Sequence, residues 1–282
     1  MSICVVTDSA SDIAQGELQN VRVLPMTVTV DGVAYRDGID ITKDEFYRLL
    51  KKSDASPISS LVSPFQFQEA FDEIEAAGDE AIAITISSEL SGTHQSAKAV
   101  ADGREGVSVI DSRQVAGAQK LLVLRALQLI VLGLPREEIV RELEEEKERI
   151  VIYAAVDTLE YLLKGGRISK TSALVGDIIG IKPILTLEDG KLVPAGKARG
   201  SKKSHEFLNQ MVRETGGIDI SMPYAVGYSG ASRSSLQKYL DSNKEIIATL
   251  PHSPDVVQIG SAVGTHAGPG TVLVTFFRKN AG

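Results

Sequence analysis

Four short β-branched runs, at residues 3–7, 81–87, 107–111 and 150–156, are separated by segments whose apolar residues recur at helical spacing. That alternation admits few architectures, because strand, helix and strand in succession close as a right-handed βαβ unit. The N-terminal part is therefore expected to build a parallel sheet covered by helices. Residues 21–30 and 33–36 flank Asp31-Gly32, two residues that tolerate positive φ, and read as an antiparallel hairpin inserted into the parallel pattern. Helix starts are marked by Thr42 with Glu45, a capping box, and by Ser63 followed by Pro64 at the first helical position. Residues 116–148 read as two helices joined at Gly133-Leu134-Pro135, the second carrying a charged, solvated face.

Beyond about residue 157 the pattern changes. Two short helical pieces surround Gly165-Gly166, a hairpin turns at Asp189-Gly190, a helix runs over 202–214, and three further strands follow. We expect an α/β protein of two domains, a parallel-sheet unit over 1–157 and an α+β unit over 158–282. The 282 residues suit this, at about 150 per domain.

Charge and cysteine usage narrow the function. The 37 acidic against 30 basic residues leave a net charge of -7, the wrong sign for a surface that grips nucleic acid through phosphates. The single cysteine, Cys4, cannot form an internal disulfide and lies in an apolar run, where it reads as packing. The most apolar stretch, 121–134, falls short of the roughly 18 residues of a membrane span and contains Arg125 and Gln128. The chain enters strand-like sequence at once, without a basic segment and apolar leader, which points to the cytoplasm. His94, His205, His252 and His266 share no short spacing, so no metal is expected.

Four segments could carry chemistry. Residues 87–97 follow a strand and enter a helix with Ser91, Gly92 and Thr93 at the turn, where free backbone N–H groups can receive an anion; a simple helix cap is the alternative. Residues 260–270 form a glycine-rich loop that lacks the Gly-Lys-Ser/Thr ending of a phosphate-binding loop and holds His266. Residues 157–169 place Lys164 and Arg167 beside Gly165-Gly166 as a basic edge, or as a solvated turn. Gly227-Tyr228-Ser229-Gly230-Ala231 approaches the nucleophile elbow of serine hydrolases without its last glycine, with Asp255 and His266 following in the matching order.

Residues 88–93, 157–169 and 259–270, with Thr7-Asp8-Ser9, together resemble the DegV family in order and over nearly the whole chain. The resemblance implies a two-domain α/β carrier, not an enzyme. It would hold one long-chain fatty acid between its domains and, as a FakB-type subunit, present the carboxylate to a separate fatty acid kinase that owns the ATP site. By this analogy Ser91 contacts the carboxylate beside Gly92 and Thr93, and His266 matches directly. Ser59-Ser60 stands where the family has Thr-Ser, and the following Leu61-Val62 departs from its Gln-Pro. The loops of 1–157 would hold the carboxylate and 158–282 would cover the acyl chain. No cofactor is implied beyond the fatty acid, and transient contact with a membrane fits such a carrier. Arg167 and Arg199, basic residues in glycine segments of an acidic protein, are expected to dock the kinase. A serine hydrolase using Ser229, Asp255 and His266, and a stand-alone anion-binding regulator, are the competing readings.

Overall fold

The computed structural model describes residues 2–53, 55–169, 180–248 and 250–280. In chain order its elements are β1 (Ile3–Asp8), β2 (Val21–Leu24), β3 (Thr27–Val30), β4 (Val33–Arg36), α1 (Lys43–Lys52), β5 (Ile58–Ser60), α2 (Pro64–Ala76), β6 (Glu80–Thr85), α3 (Thr93–Ala101), β7 (Val107–Asp111), α4 (Gly117–Val131) and α5 (Arg136–Glu146). The second half adds β8 (Ile150–Ala155), α6 (Glu160–Lys164), β9 (Ile181–Glu188), β10 (Lys191–Arg199), α7 (Gly200–Glu214), β11 (Tyr224–Tyr228), α8 (Ser234–Ser242), α9 (Lys244–Ile247), β12 (Asp255–Gln258), α10 (Ser261–Ala267) and β13 (Val272–Phe277).

As the alternating runs require, β2-β1-β6-β7 form a wholly parallel sheet. The Asp31-Gly32 hairpin is present, with both residues at positive φ. Its first strand is shorter than expected, because residues 21–30 divide at Pro25-Met26 between two sheets. Pro25 has no N–H to give a ladder, and Met26 N donates instead to Ser9 Oγ at 3.1 Å. Thus β2 joins the parallel sheet, whereas β3 pairs with β4 and β5 in a small antiparallel one. Both helix starts carry complete capping boxes, Thr42 with Glu45 and Ser63 with Gln66.

A mixed sheet of order β10-β9-β8-β13-β11-β12 forms the second layer. The Asp189-Gly190 hairpin joins β9 to β10 as expected. β8 pairs with β13 and β9, so this sheet begins at Ile150, seven residues before the boundary expected at 157. The β-branched run of β8 reads the same way in either sheet; what assigns it is its antiparallel partner β13, more than a hundred residues later. The helical piece expected after Gly166 falls largely on residues outside those described.

α4 lies between the two sheets. Leu121, Leu122, Val123 and Ala126 are fully buried in a core that includes Val5, Ile82 and Ile84 from the parallel sheet and Ile152, Val257 and Leu273 from the mixed one. β13 is buried on both faces, with Leu273 and Phe277 in the α4 core and Val272, Val274 and Phe276 in a second core. That second core includes Leu208 of α7 and Leu236 of α8.

One segment departs from expectation altogether. Residues 260–270, read as a loop, contain α10, seven residues long. Its N-cap, Gly260, contributes no side chain, so the helix has no side-chain start signal of its own, although it stops at Gly268, whose φ is +66°. It exists because the other half of the chain holds it. Tyr47 Oη donates to Ile259 O at 3.1 Å, and Lys43 Nζ donates to Gln258 O at 2.7 Å. Gly264 lets the helix lie flat there, since a Cβ at 264 would stand 2.6 Å from Tyr47 Oη.

Candidate functional site

Between the two sheets lies a cavity of about 390 Å³. Its walls are aliphatic: Met26, Ile86 and Val115 come from the N-terminal half, and Ile152, Leu185 and Leu273 from the mixed sheet. Its polar lining residues are Ser59, Ser60, Ser91, Arg167, His266 and Thr271; Ser59 and His266 are in contact, Arg167 bridges Leu90 and Gly165, and Gly92 lies beside Ser91. Ser60 and Gly92 are exposed, so the lining beside them is the mouth. An apolar body with a few convergent polar groups is the usual form of a small-molecule site.

Each mouth residue is set by a different element. Ser59 sits on β5, opposite Val28 of β3, which turns its hydroxyl toward α10; Ser59 Oγ and His266 Nε2 are 2.7 Å apart. Ser91 sits on the turn after β6, where Leu90 N and Ser91 N both donate to Ser87 O, at 3.0 and 3.1 Å. Its Oγ accepts from Thr93 N at 3.3 Å and lies 2.9 Å from Thr93 Oγ1. Thr93 itself is fully buried, lies outside the cavity lining, and accepts from Val62 N at 3.2 Å. It therefore acts on the mouth through Ser91 and not by touching a ligand. Arg167 joins the two loops, donating from Nε to Leu90 O at 3.1 Å and from Nη1 to Gly165 O at 2.6 Å.

His266 is held against Ser59 from behind. Its buried Nδ1 has no hydrogen-bond partner among the described residues and faces Gly165 so closely that a Cβ there would overlap the ring. Gly165 is glycine to leave room for the imidazole, while Gly166 is glycine for its backbone, at φ +68°. Burial, assisted by the positive charge of Arg167, pushes the His266 pKa down to about 4. The imidazole is neutral at neutral pH, and the guanidinium of Arg167 is the positive charge in the lining. The mouth can give an anionic oxygen hydroxyl and imidazole hydrogen bonds beside one cation.

The structure thus brings together Ser59, Ser60, Ser91, Gly92 and His266. Arg167, expected on a docking surface, lines the cavity, whereas Arg199 is exposed at the end of β10. The hydrolase arrangement is corrected. Ser229 is buried, donates to Gly268 O at 2.6 Å and accepts from Thr271 N at 2.8 Å, so its hydroxyl clasps the turn before β13. His266 Nε2 faces Ser59, and Asp255 opens β12 in a separate surface groove lined by His252 and Tyr224. Among the described residues no three His, Cys, Asp or Glu side chains are grouped to hold a metal, and no helix is long and apolar enough to cross a membrane. The low aromatic content of the chain points to an aliphatic wall but to none of its residues, and Gly165 reads in the sequence as part of a turn, the paired glycines before Arg167 being the one signal for its role.

Residues 2–279 match the family model described as "Uncharacterised protein, DegV family". The chain belongs to the DegV family. It is 37% identical to a DegV domain-containing protein of Caldanaerobacter subterraneus subsp. tengcongensis, over 98% of this chain and 99% of that one. Two DegV structures share the fold across the full length. A DegV family protein from Thermus thermophilus, described for its fatty acid binding, superposes with a TM-score of 0.87 at 32% identity, over 98% of this chain and 100% of that one. DegV from Bacillus subtilis, described as a fatty acid binding protein, gives 0.84 at 31% identity, over 99% and 100%. The parallel-sheet domain and second α+β domain are the architecture of these DegV structures.

Proposed function

We propose that this DegV protein binds one long-chain fatty acid, its acyl chain in the cavity and its carboxylate at the mouth. The observation that carries this is a 390 Å³ cavity, aliphatic over most of its lining, with Ser59, Ser91, His266 and Arg167 among its polar residues and Ser59 in contact with His266. About 14 buried methylenes at about 0.8 kcal/mol each offer a gross 11 kcal/mol or so, reduced by the cost of association. The carboxylate, which loses water on entry, finds donors in Ser91 and Ser59 and a charge partner in Arg167. Loops of the N-terminal half hold the head group, and the second half supplies His266 together with Leu162, Leu185 and Leu192 over the chain.

The protein is a carrier in this reading. A neutral imidazole whose Nδ1 has no orienting partner among the described residues is a weak general base, which suits holding an acid better than attacking one. The exposed Ser60 and Gly92 leave the carboxylate end accessible to a second protein. A cytoplasmic fatty acid kinase, bringing its own ATP and making the acyl phosphate for phospholipid synthesis, is the partner that the resemblance supplies, with Arg199 on the docking face. Mass spectrometry of a solvent extract from purified protein tests the core of this. A C14 to C18 acid near one per chain is expected, and Ser91→Ala is expected to weaken fluorescent fatty acid binding by roughly 1.5 to 3 kcal/mol. An extract without acyl species, together with an unchanged melting temperature on adding oleate to delipidated protein, rejects the function.

A further inference from the structure

α10 carries His266 at its C-terminal end but begins on a glycine that cannot cap it. Its first two N–H groups are taken by a residue 224 positions earlier than Ser261, while Asp12 Oδ1 accepts from the N-cap Gly260 N at 2.7 Å. Asp37 Oδ1 accepts from Ser261 N at 3.0 Å and from the Ser261 hydroxyl, and Asp37 Oδ2 accepts from Ala262 N at 3.2 Å. Asp37 is itself fixed, because it is buried and its N donates to Met26 O at 2.9 Å. Met26 precedes β3, the strand that pairs with β5 and so carries Ser59. The two members of the Ser59–His266 pair are therefore anchored to one small sheet, Ser59 through strand pairing and His266 through a cap.

We propose that Asp37 is a positioning residue for the head-group site: by capping α10 from the other half of the chain it sets the His266 imidazole against Ser59. This rests on the fatty acid reading of the cavity but names a residue outside its lining. The geometry favours a specific effect on His266 over a general one. Lys43 and Tyr47 hold the carbonyls of residues 258 and 259, ahead of the helix, whereas Asp37 holds the N–H groups that begin it. Five residues separate Ser261 from His266, about 7.5 Å along the axis, so a small tilt at the cap moves the imidazole out of hydrogen-bond reach of Ser59. Gly165 packs against the Nδ1 side of the ring, opposite the Nε2 that faces Ser59, and so limits how far the imidazole can retreat from Ser59.

The test is a double-mutant cycle on oleate affinity with delipidated protein, using Asp37→Ala, Asp37→Asn, His266→Ala and the Asp37→Ala/His266→Ala pair. Loss of a capping side chain is expected to weaken oleate binding about five- to tenfold in Asp37→Ala, with Asp37→Asn, which still caps, within about twofold of wild type. In the His266→Ala background the same substitution is expected to have no further effect, because the imidazole it positions is gone. A full additional five- to tenfold loss in that background overturns the proposal, as does wild-type affinity in Asp37→Ala. The imidazole nitrogen chemical shifts of His266 in ligand-free protein supply a second readout that needs no fatty acid. The hydrogen-bonded Nε2 signature is expected in wild type and Asp37→Asn and is expected to be lost in Asp37→Ala; retention of it there also overturns the proposal. Failure of wild type to take oleate refutes the ligand and leaves this readout to decide the role of Asp37. Should Asp37→Ala not fold, Asp37→Ser, which keeps one acceptor, is read in its place.

Discussion

His266 makes the stability of the ligand-free protein depend on pH in a direction that can be worked out. The imidazole titrates near 6.5 in an unfolded chain and about 4 in the folded one, where burial and Arg167 oppose its charge. A base whose folded pKa is depressed favours the fold fully above the unfolded value, and that contribution is lost as pH falls toward the folded value. At about 1.36 kcal/mol for each pH unit between the two, wild type should lose roughly 3 kcal/mol from this residue between pH 6.5 and 4. Two carboxyls titrate against it. Burial raises Asp8 to about 6 and Asp12 to about 7, so their ionisation weakens the fold as pH rises through the same range. The total curve therefore mixes signs, and only a difference isolates the histidine. Urea unfolding of delipidated wild type and His266→Gln, at steps of roughly half a pH unit, supplies that difference. We expect the gap between them to shift against wild type by about 3 kcal/mol on going from neutral pH to pH 4. A gap that stays level within about 0.5 kcal/mol refutes the buried, neutral imidazole and with it the head-group geometry. Added oleate should move the window upward, since a bound carboxylate favours the charged ring.

Gly165→Ala should displace the imidazole and weaken fatty acid binding about tenfold, measured by titration with a fluorescent acid. Gly166→Ala has open space around it and should cost only about 1–2 kcal/mol of stability for its left-handed backbone, read by urea unfolding, with affinity kept. Ser229→Ala leaves Thr271 N–H and Gly268 C=O without their partner and should lower stability by about 1–3 kcal/mol while lipid content stays at wild type. Arg167→Glu should lose lipid during purification because it sets a carboxylate at the mouth, whereas Arg199→Glu should keep lipid and slow phosphorylation by a cognate kinase in a salt-dependent way.

Local signals were enough wherever an element carries its own chemistry. The capping residues at Thr42 and Ser63, the Asp-Gly turns at 31 and 189, and the short apolar strands all lie where their residue types predict. Legibility failed where a distant partner decides. Within 260–270 the stop at Gly268 is local, but the start of α10 is not legible, because its first N–H groups are capped by Asp37 and its flat face rests on Tyr47. β8 looks like any parallel strand until β13 pairs with it. The site behaves in the same way. Ser59 and His266 are 207 residues apart, and nothing in their spacing joins them; the family resemblance put both in the site, and the folded chain puts them in contact. Arg167 was visible as a charge, but its orientation into the mouth depends on Leu90 O, a backbone atom of another loop.

Helix α4 has a consequence for how the molecule comes apart. Its two flanks complete the interiors of both sheets, so neither sheet can be stripped away without opening the other. A fragment ending at residue 157 would keep α4 with one flank bare, and the remainder would lack both α4 and the β8 strand at the centre of its sheet. The protein thus has two architectures but a single unit of cooperativity, and heat or urea should dismantle both in one transition. A cavity placed at such a seam is shielded from local fraying. Its opening to admit a chain must come from movement of the loops at its rim, while the two sheets stay locked on the helix between them.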